Sequence, residues 1–333
     1  VRAAQQKVNP FFINGESGLL KSELKEKLAE KLGERIRFDV PMARHTYFRV
    51  GGPADAMAMP ADIRELKDLV RMLEGAGVDW FVLGGGTNLL VKDKGIRGVV
   101  ISLEKGFSGI ETVESNTDRS LVHAGAGAGL SALCRYALEN NLGGMNFAVG
   151  IPGTVGGAVV MNAGTGQGSM ESVLAAIDVL KVPDETGTIP AESLSFRYRR
   201  LDWDSSMVEE SGREPIVLAG WFGLSSADGR AQEAEARRIR EFRRQSQPAG
   251  FSAGCAFKNP SPDMPAGRLI DQAGLKGMRI GDAQVSEIHA NFIVNLGSAD
   301  AADILRLMEK VREKVLMSHG VELEPEIVTV GES

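Results

Sequence analysis

Two glycine-rich segments carry the residue types best suited to holding a phosphorylated cofactor. The first, LGGGTNLL at 83–90, places three glycines directly after an apolar run. Glycine accepts positive φ and leaves backbone N–H groups uncovered, as a turn that cradles a diphosphate requires. Thr87 and Asn88 add side-chain hydrogen-bond donors to the same turn. An isolated run of glycines is equally typical of an ordinary tight turn, so this segment alone leaves both interpretations open.

The second segment, GIPGTVGGAVVMNAGTGQG at 150–168, favours contact with a flat ring system. A Pro-Gly turn is followed by Gly156, Gly157 and further small residues, which give a backbone surface without bulky side chains. Close packing between two strands is the alternative. Arg49, which precedes two more glycines at 51–52, offers a second contact to an anion, but this signal is weak alone.

A third glycine pattern, GAGLSA at 127–132, fits the relaxed dinucleotide-binding motif G-x-G-x-x-A. A Rossmann site also needs an acidic residue roughly 20 positions beyond the glycines. The sequence there is FAVG (147–150) and contains no acid. We therefore expect no Rossmann site at this segment.

Composition excludes several classes of protein. The chain has 333 residues, enough for two or three domains, and its 43% hydrophobic and 25% charged residues are ordinary for a globular protein. A formal charge of −6 favours neither nucleic acid nor an anionic membrane. An anionic ligand must therefore be held by local arginines and backbone amides.

Targeting, redox and metal signals are equally sparse. No apolar run reaches the roughly 18 residues of a membrane span, and residues 1–18 lack the apolar region of a signal peptide. Cys134 and Cys255 lie far apart in the sequence, and the four histidines form no i,i+4 pair. We expect a cytoplasmic monomer without a metal site, which contacts neither nucleic acid nor membrane.

The predicted elements form a mixed series. Leucines at helical spacing predict an amphipathic helix from Ser17 that ends at Gly33, after a loose arm at 1–16. Further helices are predicted at 62–73, 131–140, 230–245, 267–273 and from 298 to Gly320. Strands are predicted at 46–50, 80–84, 99–103, 120–125, 173–182, 216–222 and 291–295. One face of the last helix is predicted to consist of Ile304, Leu305, Met308, Val311, Val315 and Leu316. The mixture indicates the α+β class, although the pattern alone does not give the order of the strands.

Seven collinear segments together resemble the UDP-N-acetylenolpyruvoylglucosamine reductase family. They are HTYFRVGGPAD (45–55), LGGGTNLL (83–90), FAVGIPGTVGGAVVMNAG (147–164), LSFRYR (194–199), GCAFKNP (254–260), AGRLIDQAGLKGMRIGDAQVSEIHANFIVN (266–295) and LEPEIVTVG (323–331). The match runs from about residue 35 to the C-terminus. The chain has no room for the tyrosine-bearing insertion of one subclass, so it resembles the shorter class.

This resemblance implies a fold, a cofactor and a reaction. The fold is α+β, with a two-part FAD-binding domain of the vanillyl-alcohol-oxidase type and a C-terminal α+β substrate-binding domain. FAD is bound non-covalently, and NADPH is the electron donor for reduction of UDP-N-acetylglucosamine enolpyruvate to UDP-N-acetylmuramate in peptidoglycan synthesis. The implied division is an N-terminal arm and helix (1–34), the FAD-binding domain (35–225), the substrate-binding domain (226–322) and a C-terminal segment that returns to the active site (323–333).

The matching positions also imply site residues. The implied FAD contacts are Arg49, Gly84, Gly85, Gly86, Thr87, Asn88, Leu89, Gly150, Ile151, Pro152, Gly153, Thr154, Gly156 and Gly157. The implied substrate contacts are Tyr198, Lys258, Asn259 and Gln284. The implied catalytic residues are Arg199, Cys255 and Glu326. Ile288 stands where the family often has lysine, so no charge is available at that position.

Each implied catalytic residue suits the reaction chemically. Arg199 can clasp a carboxylate and stays charged at working pH. Glu326, placed beside the substrate carboxylate, is expected to have a raised pKa and to donate a hydrogen bond. Cys255 departs from the family, which mostly has serine here as proton donor. A thiol is mostly protonated at neutral pH and is a far stronger acid than a hydroxyl, so it can take the same role. Cys134 is expected to be a structural residue in its helix.

Two other functions are consistent with parts of this pattern. An FAD oxidase of alcohols or lactones would share the fold, but relatives of that kind often tether flavin through His or Cys, and neither residue occurs in 83–90. A catalytically silent flavin- or nucleotide-binding protein would keep the glycine loops. Substrate-dependent NADPH oxidation distinguishes the reductase from both.

Overall fold

The computed structural model describes residues 20–208 and 212–332. Its helices are α1 Ser22–Leu32, α2 Ile63–Gly75, α3 Leu130–Glu139, α4 Val155–Val160, α5 Gly229–Ser246, α6 Ala266–Gln272 and α7 Ala301–His319. Its strands are β1 Ile36–Pro41, β2 Pro53–Ala58, β3 Trp80–Leu83, β4 Leu89–Val91, β5 Ile96–Ser102, β6 Ile110–Ser115, β7 Arg119–Gly125, β8 Leu142–Gly143, β9 Gly164–Thr165, β10 Gly168–Ser169, β11 Leu174–Lys181, β12 Glu185–Pro190, β13 Ser195–Arg197, β14 Arg200–Asp202, β15 Ile216–Ser226, β16 Arg279–Ile280, β17 Ala283–Val285, β18 Ile293–Asn295 and β19 Val328–Val330.

The first sheet has the strand order β1-β2-β5-β3. Strands β2 and β3 run parallel to β5, and β1 pairs antiparallel with β2. Helix α2 packs on this sheet through Leu66, Leu69, Val70 and Leu73, which recur at helical spacing and are buried. Asp62 caps α2 by accepting hydrogen bonds from the first-turn amides. The helix predicted at 62–73 is confirmed.

The second sheet is antiparallel throughout, with the order β12-β11-β15-β7-β6 and the short β8 added beside β15. Helices α3 and α4 lie against it and contribute Leu130, Leu133, Val155 and Val159 to a core that also contains the buried face of α2. One continuous hydrophobic core therefore joins the two sheets. The glycine loops lie between them.

A separate core organises the C-terminal part of the chain. The antiparallel sheet β16-β17-β18 packs with α6 and α7 around Ile270, Ile293, Leu307 and Val311. Gly320, with φ of +68°, ends α7 in the left-handed conformation. The predicted apolar face of α7 needs one correction. Leu316 is 49% exposed, because it lies at the edge of the buried stripe near the end of the helix.

The C-terminal segment connects the two cores. Strand β19 pairs parallel with β4, which follows the first glycine loop. Just before it, Pro325 is paired with Phe257 of the C-terminal part. Glu332 then pairs with Gly95. The last ten described residues therefore lie against both parts of the molecule.

One prediction about local structure needs correction, one falls outside the described residues, and one helix was not predicted. Residues 46–50, predicted as a strand, form a turn in which Thr46 Oγ1 donates to the carbonyl oxygen of Val50 and Arg49 has φ of +54°. Helix α4 was not predicted, because its glycines hid the short helix that the Thr154 hydroxyl caps. The arm at 1–16 and the start of the first predicted helix at Ser17 lie outside the described residues, where α1 begins at Ser22.

Among the described residues, none of the helices combines the length and the hydropathy that crossing a bilayer demands.

Candidate active site

A two-residue hairpin turn presents the predicted arginine. Strands β13 and β14 pair so that Arg197 lies opposite Arg200, which leaves Tyr198 and Arg199 as the turn. Arg199 has φ of +60°, a conformation that costs a non-glycine residue about 1–2 kcal/mol. Its guanidinium lies over the Tyr198 ring, 4.8 Å from the ring centre. Strained backbone of this kind concentrates at functional sites, because the surrounding structure must enforce it.

Arg199 pairs with Glu326 across 127 positions of sequence. Arg199 Nε donates to Glu326 Oε1 at 2.8 Å, and the two side chains are 22% and 11% exposed. Burial raises the pKa of Glu326, and the neighbouring Arg199 guanidinium opposes that rise. Glu326 is thus an acid whose protonation is sensitive to any further charge placed beside it.

The backbone of Glu326 is held from both sides. Its N–H donates to the carbonyl oxygen of Ala256 at 2.9 Å, and its carbonyl oxygen accepts from Asn88 Nδ2 at 3.1 Å. Asn88 belongs to the first glycine loop. One of the predicted cofactor residues therefore uses its side-chain amide to hold the segment that carries the predicted acid.

Cys255 faces the same ion pair. It is partly buried, and its thiol interacts electrostatically with Glu326, Arg199 and Arg243. Burial, with a further contribution from Glu326, raises the pKa of Cys255 to about 12, whereas the two arginines lower it. The thiol is protonated at neutral pH. Cys134, in contrast, is buried in α3 and lies near the carbonyl oxygen of Met145, in a structural position.

The two predicted glycine loops pack directly on each other. A Cβ added to Gly85 would stand 2.8 Å from Gly153 Cα, and one added to Gly84 would stand 2.9 Å from Thr154 Oγ1. Thr87 Oγ1 lies 3.4 Å from the carbonyl oxygen of Pro152. Only residues without side chains allow the two backbones to approach this closely. Leu89, Ile151, Gly156 and Gly157 continue the two loops into β4 and α4.

A cavity opens where these loops meet, and several of its lining residues were missed by sequence reasoning. It is lined by Tyr47, Gly85, Glu104, Gly127, Gly129, Gly153 and Thr154. Gly127 and Gly129 come from the GAGLSA segment that we set aside as a Rossmann motif. The glycine pattern there was a usable signal for a ligand cavity, although not for that fold. Tyr47 and Glu104 gave no sequence signal.

Arg49 lies at the side of the site. Its side chain is exposed and its guanidinium lies over the ring of Phe251, 4.1 Å from the ring centre. Beside Arg49 in the same turn, the carbonyl oxygen of Phe48 accepts a hydrogen bond from Asn295 Nδ2 at 2.8 Å. The Arg49 turn thus packs against the C-terminal part of the chain.

Two of the predicted substrate residues interact with the predicted acid Glu326. Tyr198 is half exposed and interacts electrostatically with Glu326, Arg199 and Cys255. Lys258 forms an ion pair with Glu324, and its charge also acts on Glu326. Asn259 and Gln284 make local hydrogen bonds to backbone groups of Ala266 and Gly277, which fix their loops. The structure brings Tyr198 and Lys258 to the acid. Asn259 also hydrogen-bonds with Tyr198 through its backbone.

Arg243, on α5, is a site residue that sequence reasoning missed. It lies over Gly150, so that a Cβ on that glycine would stand 3.0 Å from Arg243 Cδ. The charged helix contains eight other arginines or glutamates, so nothing in the pattern distinguished Arg243. Only the packing of α5 on the second glycine loop shows that it points inward.

These features define a class of protein. Two interlocked glycine loops beside a cavity, between a mixed sheet and an antiparallel sheet and followed by a separate α+β unit, are consistent with a flavin-dependent enzyme with an added domain. A family model described as an FAD binding domain matches residues 54–190. A second, described as the C-terminal domain of UDP-N-acetylenolpyruvoylglucosamine reductase, matches residues 246–330.

Relatives with known names place the chain within one family. It is 46% identical over 303 residues to the UDP-N-acetylenolpyruvoylglucosamine reductase of Desulfosudis oleivorans, covering 90% of this chain and 96% of the relative. It is 44% identical to the reductase of Heliobacterium modesticaldum, covering 88% and 90%. The crystal structure of the reductase from Thermus caldophilus superposes with a TM-score of 0.75 at 35% identity, covering 89% of this chain and all of that one. The chain belongs to the UDP-N-acetylenolpyruvoylglucosamine reductase family, and the predicted fold class is confirmed.

Proposed function

We propose that the chain reduces UDP-N-acetylglucosamine enolpyruvate to UDP-N-acetylmuramate, with FAD as cofactor and NADPH as electron donor. This is a step in peptidoglycan precursor synthesis. Family membership over nine-tenths of the chain supports the reaction. The observation that carries the proposal is the convergence of Arg199, Glu326 and Cys255, from three distant segments, beside the glycine-loop cavity.

The residues of the cavity fit FAD held without a covalent bond. Gly85 and Gly153 pack directly on each other and both line the cavity, so this part of its wall is backbone without side chains, which suits a diphosphate. Both predicted loops contribute to it, through Gly85 of the first and Gly153 and Thr154 of the second. When bound, the flavin supplies a carrier that takes a hydride from NADPH and passes it to the substrate.

Arg199 and Glu326 stabilise charge on the substrate. Hydride addition at the terminal carbon of the enolpyruvyl group places negative charge on the adjacent carbon and the carboxylate. A guanidinium in a partly buried site holds that charge far better than water would, because the site is already organised. Burial raises the pKa of Glu326, so the acid is protonated more readily beside the incoming carboxylate and then donates a hydrogen bond to it.

Cys255 donates the proton that completes the reduction. The S–H bond breaks, the electron pair of the enolate forms the new C–H bond, and a thiolate remains that regains its proton from solvent. Because its pKa is raised to about 12, the Cys255 thiol stays protonated between turnovers. Tyr198, Lys258, Asn259 and Gln284 are proposed to contact the nucleotide sugar.

We propose that different segments of the chain bind FAD and substrate. Residues 35–225 bind FAD, residues 226–322 bind the substrate, and the segment 323–333 brings Glu326 back to the site. The two cores and the double pairing of the C-terminal segment support this division. We further propose that the enzyme acts as a monomer in the cytoplasm, where its substrate and NADPH are available.

The test combines spectroscopy with turnover. The purified protein should carry flavin absorbance and oxidise NADPH only when the enolpyruvyl nucleotide is present. Cys255→Ala should lower kcat by about 10²–10⁴ without loss of flavin, and Cys134→Ala, the second cysteine, should not. NADPH oxidation that ignores the nucleotide would overturn the reductase assignment. Equal kcat in both cysteine variants would leave the reductase in place but remove Cys255 as proton donor.

A further inference from the structure

Cys255 and Glu326 are carried by two segments that pair with each other. The N–H of Glu326 donates to the carbonyl oxygen of Ala256 at 2.9 Å. The N–H of Lys258 donates to the carbonyl oxygen of Glu324 at 2.8 Å. The position of the thiol relative to the acid therefore depends on how firmly the first of these segments is held from its other side.

Asn291 holds that other side. Its Nδ2 donates to the carbonyl oxygen of Phe257 at 2.8 Å, and its Oδ1 accepts from the N–H of Phe257 at 3.0 Å. Its own carbonyl oxygen accepts from the N–H of Ala256 at 2.7 Å. Asn291 is only 2% exposed, so these bonds are shielded from solvent. One side chain thus satisfies both backbone polar groups of Phe257, as a paired strand would.

The same residue lies next to the thiol. Cys255 is paired with Phe292, the residue that follows Asn291. Burial raises the pKa of the Cys255 thiol, and a hydrogen bond from the Asn291 side chain is among the interactions that oppose the rise. Loss of the Asn291 amide would leave two buried backbone groups of Phe257 unpaired, so the segment that carries Cys255 would have to shift or admit water.

We propose that Asn291 is a positioning residue, which holds the segment 255–258 in place and thereby fixes the Cys255 thiol relative to Glu326. This inference rests on the proposed function, because it assigns a role in the proton transfer of that reaction. Asn291 should affect only the half of the reaction in which the nucleotide receives hydride and proton. Hydride transfer from NADPH to the flavin uses neither Cys255 nor Glu326.

The first test measures the two halves separately by stopped flow on the flavin-loaded protein. In Asn291→Leu, the rate at which NADPH bleaches the flavin absorbance should stay within about twofold of wild type. The rate at which saturating enolpyruvyl nucleotide restores that absorbance should fall about 10–100-fold, since a shift of about 1 Å at a reacting group costs this much. Equal losses in both halves, or an unchanged second half, would overturn the proposal.

The second test asks whether a near-isosteric group restores the rate. A protonated carboxyl in Asn291→Asp offers one donor and one acceptor, as the amide does, whereas its ionised form offers acceptors alone to the carbonyl oxygen of Phe257. Because burial favours the protonated form, the second-half rate should be within about threefold of wild type at about pH 6.5 and should fall toward that of Asn291→Leu by about pH 9. The neighbouring titratable group is His289, whose Nδ1 accepts from the Asn291 N–H at 3.2 Å, and burial lowers the pKa of His289, so this ring stays largely uncharged over the range. A rate as low as that of Asn291→Leu at both pH values would contradict the assigned hydrogen bonds.

The third test does not depend on activity. Native-state hydrogen exchange of the amides at 256–258 should accelerate about tenfold in Asn291→Leu. Asn295→Leu is the matched control, because Asn295 is 5% exposed and its side chain instead bonds the backbones of Phe48, Gly297 and Ala299. Equal acceleration at 256–258 in both variants, or none in Asn291→Leu, would overturn the proposal. If wild type shows no nucleotide-dependent turnover, the proposed function fails, while this exchange pattern still shows whether Asn291 holds the segment.

Discussion

Asp93 joins two parts of the molecule that are far apart in sequence, and its removal should loosen one helix selectively. Asp93 lies in the loop after β4, near the first glycine loop. Its carboxylate oxygens accept hydrogen bonds from the N–H groups of Ala301 and Ala302, at 2.8 and 3.0 Å. These are the first two residues of α7, in the C-terminal part of the chain. We expect Asp93→Ala to increase opening of α7 and to leave α2 and the glycine loops unaffected.

The free energy that Asp93 contributes to holding α7 can be estimated from the geometry of this contact. A carboxylate that accepts from helix N-terminal amides contributes about 1–2 kcal/mol through hydrogen bonding and the helix dipole. Asp300 remains as the cap within the helix and accepts from Asp303 N at 2.7 Å, so α7 itself should persist. A loss of about 1–2 kcal/mol corresponds to roughly a 5–30-fold increase in the open population. Asp93→Asn, which keeps one acceptor oxygen but loses the charge, should have about half the effect in free energy.

Native-state hydrogen exchange of the amides in α7 measures this directly, together with urea unfolding. Asp62→Ala is the matched control, because Asp62 accepts from Arg64 N and Glu65 N at 2.8 and 3.0 Å but caps α2 from the position directly before that helix. Exchange should accelerate in α7 for one variant and in α2 for the other. If Asp93→Ala leaves α7 exchange at the wild-type rate, or accelerates both helices equally, the reasoning that this carboxylate docks α7 is refuted.

Three further predictions concern the loops, a buried thiol and the ion pair. Gly86→Ala should abolish FAD binding, because Gly86 has φ of +63° and an added Cβ would overlap the carbonyl oxygen of His45. Gly166→Ala is the control and should bind flavin normally, because no atom of a described residue other than its neighbours in the chain lies within 4 Å of an added Cβ there. The ratio of flavin to protein in the purified variants measures the difference. Burial raises the pKa of Cys134 from its ordinary 9.0 to about 12. Between these two pH values the folded state keeps a proton that the unfolded state has lost, so the free energy of unfolding falls as the pH rises. Cys134→Ala should make that alkaline slope shallower by about 1.4 kcal/mol per pH unit in urea titrations, and an unchanged slope would contradict it. Arg199→Met should lower kcat about 10²–10³-fold with flavin retained, because the developing charge loses its cation; activity within tenfold of wild type would exclude this role.

Local sequence was sufficient for most elements. The predictions at 62–73, 131–140 and 230–245 match α2, α3 and α5, because hydrophobic spacing and caps act over a few residues. The predicted strand at 46–50 was wrong because Phe48 and Val50 are buried in a turn by contacts with distant segments, and no described strand pairs with them. Helix α4 was missed because small residues suit several backbone conformations, and the Thr154 cap is the feature that selects a helix.

The sequence by itself determined the family, the glycine loops and the chemical types of Arg199, Cys255 and Glu326, since these follow from local residue identity. The tertiary structure decided which groups meet. It places Arg199 in a strained hairpin turn against Glu326, uses Asn88 to hold the Glu326 backbone, and packs Arg243, one of several similar arginines, against Gly150. Such contacts join positions that are tens to hundreds of residues apart, and no periodicity along the chain encodes them. Their burial also changes the pKa values of Cys255 and Glu326, because the energy of a charge depends on its surroundings in space.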